Sequence, residues 1–308
     1  MKILITGACG HIGSFISENI YKIKKVSKTI LVDNLKSNRF YSLFNSKKKN
    51  KLNFFVKDLN NINSLNEFKN IDLIIHCASM TNAEKSFGKE KEMYNNNINC
   101  MKTVIKFCKK NNTKLIHLSS TSVYGKQTNL VDETCEKKFL NPQSPYARIK
   151  IAEENLLKKN SNNLIYNTFR FGTIAGVSKG IRFHTAVNKF CFNAALEKKI
   201  EVYKTALHQF RPYLSIRDSF EVFKFCINNN FFENDIFNVL TGNFTVFQII
   251  KKIKKFKKKI SINYVNSPIM NQLSYHVDDT KIKSKGLILK SNIDKDIQDT
   301  IKLLNNLK

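Results

Sequence analysis

Three glycines in seven positions, Gly7-x-x-Gly10-x-x-Gly13, follow the apolar run Lys2-Ile3-Leu4-Ile5 and limit the fold more tightly than any other stretch. A short apolar run bounded by a turn reads as a strand, and the apolar spacing after it predicts a helix over 12–24. In such a unit Gly7 can take the tight turn, Gly10 lets the backbone approach a phosphate, and Gly13 lets the helix pack closely on the strand. The helix N-terminus adds unpaired N–H groups and partial positive charge. The pattern points to a dinucleotide pyrophosphate, although three glycines alone are equally compatible with a simple turn.

A second signal falls where such a site requires it. Asp33 ends the second predicted strand, twenty residues past Gly13, where a carboxylate accepts hydrogen bonds from an adenosine ribose and repels a 2′-phosphate. That favours NAD over NADP, with Lys36 and Arg39 close behind as cations that would soften the preference. Asp58, in "FVKDLNN", reads either as a group at the adenine edge or as a loop cap.

Strands are predicted at 2–6, 29–33, 52–56, 71–77, 114–119 and 163–170, separated by helices at 12–24, 62–69, 90–110 and 144–159. This alternation, with strands rich in branched residues, argues for a parallel sheet covered on both faces. The expected class is α/β, a Rossmann-type doubly wound parallel sheet. After about residue 174 the pattern becomes less regular, with helices near 183–197, 217–229 and 245–258 among short strands. Two domains are expected, 1–173 with the nucleotide site and 174–308 as a smaller mixed α/β substrate lobe, some elements crossing between them.

The sequence carries 52 Lys and Arg against 24 Asp and Glu, a formal net charge of +28. Only six of the 52 are arginine, the residue that a base-reading or phosphate-gripping surface would favour. In the densest block, "IIKKIKKFKKKI" at 249–260, Ile249, Ile250, Ile253, Phe256 and Ile260 fall at helical spacing, so its lysines read as a solvated helix face. No specific nucleic-acid partner is expected, although this block and "KKKNK" at 47–51 leave a salt-sensitive attraction to polyanions. No membrane span or secretory leader is expected either. The seven cysteines are scattered without a C-x-x-C pair, which reads as reduced thiols in the cytoplasm and no metal centre.

The chemistry is expected in "YARIK". A tyrosine can take a proton from an alcohol if nearby positive charge lowers its pKa from about 10. Tyr146 and Lys150 stand four apart, on one helix face, so the ammonium can lie near the phenol and reach a cofactor ribose. "HLSSTSVYG" at 117–125 follows the fifth predicted strand and places Ser120 at the sheet edge as a hydroxyl donor to the same substrate oxygen. The plainer alternative makes Tyr146 an ordinary helix residue and the serines a turn. His76 and His117 lie within apolar strands and read as packed, hydrogen-bonded histidines.

With "TGACGHIGS", "LVDNL", "KDLNN", "IIHCAS", "NNINCMKTVI", "SSTSVYG", "YARIK", "RFGTIAG", "RPYLSIRD" and "VDDTKIKSKG" in view, nearly the whole chain resembles the extended short-chain dehydrogenase/reductase family. The resemblance lies in the nucleotide-sugar epimerase/dehydratase branch, where the chain looks most like UDP-glucose 4-epimerases. It implies NAD held by Gly7, Gly10, His11, Ile12, Gly13, Asp33 and Asn34, with Asp58 and Leu59 flanking adenine. Ala78, Ser79 and Asn96 would line the cofactor channel. Ser120, Tyr146 and Lys150 match the catalytic trio, Tyr146 and Lys150 also touching NAD. The nucleotide sugar, a UDP-sugar by this likeness, would meet Ser120, Thr121, Thr173, Arg182, His184 and Arg211, the last gripping its pyrophosphate. Tyr213, Thr185 and Asn188 are further candidates at that pocket. A homodimer through the helices at 90–110 and 144–159 is implied as well.

The reaction implied is 4-epimerisation through a transient 4-keto sugar, with Tyr146 as acid and base. Thr121-Ser122 stands where sugar dehydratases of the branch carry Asp-Glu, which disfavours dehydration. Arg170-Phe171-Gly172-Thr173 replaces the usual R-Y-F-N, and Asn271-Gln272 stands where an arginine is usual, so a modified or deoxy sugar fits as well as glucose. The alternatives are a reductase of a 4-keto nucleotide sugar, a dehydratase, and a silent NAD-sensing or RNA-binding module.

Overall fold

The computed structural model describes residues 1–45, 52–81, 87–127, 130–266 and 274–305. Its first half comprises β1 (Lys2–Thr6), α1 (His11–Asn19), β2 (Lys28–Asp33), β3 (Leu52–Val56), β4 (Leu73–His76), α2 (Glu90–Asn111), β5 (Lys114–Ser120), β6 (Leu130–Val131), α3 (Pro145–Lys159) and β7 (Tyr166–Phe171). There follow β8 (Thr173–Ala175), α4 (Ala186–Ala195), β9 (Ile200–Tyr203), β10 (Phe210–Ser215), α5 (Ile216–Asn229) and β11 (Asp235–Val239). The chain ends with β12 (Gly242–Thr245), α6 (Val246–Phe256), β13 (Ile262–Val265), β14 (His276–Val277), α7 (Thr280–Ser284) and α8 (Ile293–Asn305).

Seven strands form one parallel sheet in the order β3-β2-β1-β4-β5-β7-β11. Chain order reverses between β1 and β4, and such a reversal opens a crevice at the carboxyl ends of the strands. Alternation along β1 fills both sides of the sheet. Ile3 and Ile5 join a core with Ile16 of α1 and Phe220 and Phe223 of α5, while Leu4 packs with Met101 and Val104 of α2 and Leu157 of α3. Burying each such side chain is worth about 1.5–3 kcal/mol over leaving it in water. Both faces are therefore covered, as a Rossmann-type doubly wound sheet requires.

The helix expected over 62–69 does not form. Ser64, Asn66 and Phe68 donate from their N–H groups to the carbonyls of Asn61, Asn63 and Leu65, giving successive turns, and the Asn61 side chain accepts from Asn63 N at 3.0 Å. Asparagine side chains that bond neighbouring backbone compete with helix, and this stretch is rich in them. The helix expected over 12–24 ends its α portion at Asn19 and continues as a 3₁₀ turn, Ile20–Lys22.

β11 lies far beyond residue 173 yet supplies the edge of the large sheet, and α5 covers that same sheet. A further core forms where α4, α6 and α8 pack together through Val187, Ile249, Ile253, Ile297 and Ile301. Beside them runs the three-stranded sheet β12-β10-β8. Lys251, Lys254 and Lys255 of α6 are exposed opposite buried Ile249 and Ile253, so this block is the solvated face that its spacing predicts. The 47–51 block and the Asn271-Gln272 pair lie outside the described residues. Among the described residues, no helix is long and apolar enough to cross a membrane.

Candidate active site

The glycine turn sits at the point where the chain order of the sheet reverses. Gly7 has φ 63°, and a Cβ there would lie 2.6 Å from Ala78 N, just past β4. A Cβ on Gly13 would lie 2.2 Å from Gly7 O, so α1 can approach this closely only with glycine. Gly10 caps α1 with no side-chain hydrogen bond, and the first N–H groups of a helix have no partners within it. His11, Ile12 and Gly13 line the crevice at this end.

A cleft of about 770 Å³ runs from the turn along Asp33, Asn34, Leu59, Ala78, Ser79 and Asn96. Asp33 accepts from Cys9 N at 3.0 Å and Leu35 N at 2.9 Å, which fixes it at the end of β2 with lone pairs left for a ribose. Asp58 behaves as a loop cap. Its carboxylate accepts from Asn60 N at 3.0 Å and pairs with Lys36 at 2.8 Å, and Lys57, Leu59 and Asn60 line the cleft in its stead. Against the opposing effect of burial, Lys36 and Asn60 hold this carboxyl down at about 2.

A second cleft of about 300 Å³ opens from the same turn and brings together Ser120, Tyr146 and Lys150. Ser120 ends β5, and its Oγ accepts from Ser122 N at 3.2 Å and Ser122 Oγ at 2.9 Å. A hydroxyl that accepts twice keeps its one hydrogen for a third partner. Ser144 caps α3 by accepting from Ala147 N at 3.2 Å, and Pro145 follows at the first helical position. This Ser-Pro start puts Tyr146 in the first turn and Lys150 one turn on, with Lys150 Nζ 5.7 Å from the centre of the Tyr146 ring.

Lys150 is buried and does not hang free. Its ammonium donates to Leu118 O at 2.9 Å and to Glu153 Oε2 at 2.7 Å. Burial alone would lower its pKa, but the Glu153 carboxylate overrides that and raises it above the ordinary lysine value. Glu153 is held down at about 2, against burial, by Lys150 and His117. An ionised Glu153 can only accept, so His117 Nε2, 2.9 Å away, is the N–H donor, and His117 Nδ1 faces Thr168 Oγ1 at 3.3 Å. His76 is packed too: Nδ1 lies 2.8 Å from Thr6 Oγ1, and burial pushes its pKa down to about 3.

Thr173, Arg182, His184, Thr185, Arg211 and Tyr213 all line the second cleft, and Arg182 and His184 line the first as well. Thr121 does not reach it, being buried with Oγ1 donating to Phe171 O at 3.3 Å. Asn188 stands behind the wall, accepting from Gly176 N and donating to Arg182 O, both at 3.1 Å. Arg170 belongs to a buried network that meets the second cleft only through Ser119, whose Oγ donates to Glu154 Oε1 at 2.6 Å. It forks onto Glu154 at 2.9 and 2.7 Å and donates to the Tyr124 hydroxyl at 2.9 Å.

Four buried polar atoms of the second cleft, Arg182 Nε, Thr185 Oγ1, Arg211 Nε and Tyr213 OH, have no hydrogen-bond partner among the described residues. Buried polar groups are normally paired, so this clustering marks a place shaped for a polar ligand. No Asp or Glu is among the described residues that line it.

The sequence profile of the NAD dependent epimerase/dehydratase family matches residues 3–239. The chain belongs to this family. As an NAD-dependent epimerase/dehydratase it is an enzyme with NAD as cofactor, and the residues present fit that group: a turn with no room for side chains, open helix N–H groups and a fixed Asp33. Its relatives include an ADP-L-glycero-D-manno-heptose-6-epimerase of Brachyspira hyodysenteriae, 28% identical over 280 residues, or 86% of this chain and 84% of that protein. An Arabidopsis thaliana trifunctional UDP-glucose 4,6-dehydratase/UDP-4-keto-6-deoxy-D-glucose 3,5-epimerase/UDP-4-keto-L-rhamnose-reductase is 27% identical over 322 residues. That match takes in 97% of this chain but only 46% of the plant protein, so the chain spans less than half of that relative's length. The fold is also that of a Bacillus cereus UDP-glucuronic acid 4-epimerase solved with UDP-glucuronic acid and NAD, at TM-score 0.84, 22% identity and full coverage of both chains.

Two groups in the site of this epimerase/dehydratase escape sequence reading. Tyr275 lines the second cleft from just before β14, far along the chain from Tyr146, with nothing local to mark it. Glu153 does carry a signal, since it stands three residues past Lys150 on the same helix.

Proposed function

We propose that this family member is an NAD-dependent nucleotide-sugar 4-epimerase that takes a UDP-sugar through a transient 4-keto intermediate. The observation that carries the reading is the second cleft: Ser120, Tyr146 and Lys150 meet there, and no carboxylate is among the described residues lining it. NAD, when bound, supplies reversible hydride acceptance. Tyr146 removes the proton from the 4-hydroxyl and later returns it, while Ser120 donates its remaining hydrogen to the same oxygen. Lys150, kept charged by Glu153, supplies the positive charge that favours the phenolate. Arg211 carries the pyrophosphate of the substrate, a role suited to a fork with an unpartnered Nε. Elimination of water would need a base for the C5 proton and an acid for the departing C6 hydroxyl, and the position after Ser120 offers buried Thr121 and then Ser122 instead. The relatives' binding of UDP-sugars supports the nucleotide, and the same reading includes a homodimer through α2 and α3.

The test is to incubate NAD-loaded protein with a panel of UDP-sugars and no reduced cofactor, separating products by chromatography and NMR. Inversion at C4 of at least one sugar supports the reading. Conversion that appears only when NADH or NADPH is added would establish a 4-keto reductase, and loss of water from the sugar a dehydratase.

A further inference from the structure

We propose that Arg182 is a cationic ligand of the cofactor pyrophosphate, brought to the glycine turn by a strap of the chain at residues 176–185. The strap leaves β8 and lies directly on the turn before entering α4. A Cβ on Gly180 would meet Cys9 O at 2.3 Å and Gly10 O at 2.5 Å, so the two backbones touch. Gly180 N donates to Ser14 Oγ at 2.9 Å, His11 Nε2 lies 3.0 Å from Gly176 O, and Lys179 pairs with Glu18 at 3.0 Å. Asn188 ties the start of the strap to Arg182 through Gly176 N and Arg182 O, which fixes where Arg182 begins.

From there the guanidinium reaches the glycine turn. A Cβ on Gly10 would lie 3.8 Å from Arg182 Nη2, so the fork stands over the residue whose bareness admits a phosphate. Its Nε is buried without a partner, and no carboxylate forms an ion pair with Arg182 or Arg39 among the described residues. Burial, with the Arg39 charge beside it, pulls the guanidinium down to about 10, the mark of a cation lacking its anion. Both arginines line the cofactor cleft, and the unpaired N–H groups of α1 open on the same spot. Arg211, by contrast, lines only the second cleft and lies near Tyr213 and Tyr275. The two diphosphates are thereby divided, Arg182 serving the cofactor and Arg211 the substrate. The division rests on the family's use of NAD and not on which sugar is converted.

The test measures binding. Wild-type protein, Arg182→Ala and Arg182→Lys are purified, the NAD retained per chain is assayed after acid release, and the emptied proteins are titrated calorimetrically with ADP-ribose, adenosine and UDP. Losing a charge-assisted fork should weaken ADP-ribose by about ten- to a hundredfold in Arg182→Ala. Retained NAD should fall with it, adenosine and UDP binding should be unchanged, and Arg182→Lys should be intermediate. The lysine variant carries the test should the alanine variant fail to fold. Unchanged ADP-ribose affinity in either folded variant, or a loss confined to UDP, overturns the proposal and leaves the epimerase reading standing.

Discussion

Glu153 Oε2 lies 2.7 Å from Lys150 Nζ and 2.9 Å from His117 Nε2, so one carboxylate holds the lysine beside Tyr146 and ties it to β5. Replacing it by an amide of the same shape, Glu153→Gln, leaves a buried ammonium without its counter-charge. Breaking one side of a buried pair costs about 3–5 kcal/mol, so the urea midpoint should drop clearly. Burial then dominates Lys150 and lowers its pKa, and the alkaline limb of the kcat/KM profile should move to lower pH by about one unit or more. An unmoved alkaline limb in a folded variant would show that the pair has no influence on the reaction.

The same pair predicts a response to acid. Glu153 titrates lower in the folded chain than in the unfolded one, so it adds stability that is present above pH 4.5 and is lost as pH falls toward about 2. Stability measured by denaturant titration between pH 5 and 3 should fall more steeply for wild type than for Glu153→Gln. Parallel slopes would contradict the assignment.

Arg170 provides a purely structural comparison. Its fork onto Glu154 and its bond to Tyr124 OH, which in turn donates to Asn238 Oδ1 at 2.9 Å, join α3, β7 and β11 beneath the site. Arg170→Met should strand the Glu154 carboxylate and destabilise the fold by about 3–5 kcal/mol. NAD affinity at temperatures where the variant is folded should be retained, because no atom of this network lines the cofactor cleft. Equilibrium unfolding and calorimetric titration read the two effects separately.

Lysines shape the expected dimer. Lys102, Lys106, Lys109 and Lys110 surround Ile105 and Leu156 in a groove between α2 and α3. A second copy meeting this face would set lysine against lysine, and salt at 0.15 M screens such charges over about 8 Å. Sedimentation should therefore show association tightening as salt is raised from low concentration. Association that weakens with salt would place the interface elsewhere.

What the sequence makes legible here is what is local. Gly7, Gly10, Gly13 and Asp33 lie within one βαβ unit, and Tyr146 and Lys150 are four apart on a single helix, so spacing alone brings each group together. Arg182 and Arg211 enter the expected site only through the family resemblance, and Tyr275 not at all, because they reach the same clefts from strands and loops whose relative placement depends on tertiary packing, which no periodicity reports. β11 is invisible for a related reason: a short apolar run near 235–239 does not say which sheet it joins. Glu153 is hidden differently, since an acid in a lysine-rich amphipathic helix reads as solvated until the burial of Lys150 is known. The turns at 62–69 look helical by their apolar spacing, and asparagine bonding prevails over it. α8, too, is absent from the expected helices although Ile293, Ile297, Ile301 and Leu304 fall at helical spacing.

In the proposed reaction, hydride leaves and returns to one sugar carbon within a single turnover while Tyr146 handles the proton. This reaction is tested most directly by converting a UDP-sugar deuterated at C4, with NAD-loaded protein and no added reduced cofactor, and locating the label by NMR and mass spectrometry. The prediction is a C4-inverted product with the deuterium still on C4, and no product from Tyr146→Phe that still holds NAD. Deuterium lost to solvent, or unchanged turnover in Tyr146→Phe, would contradict it.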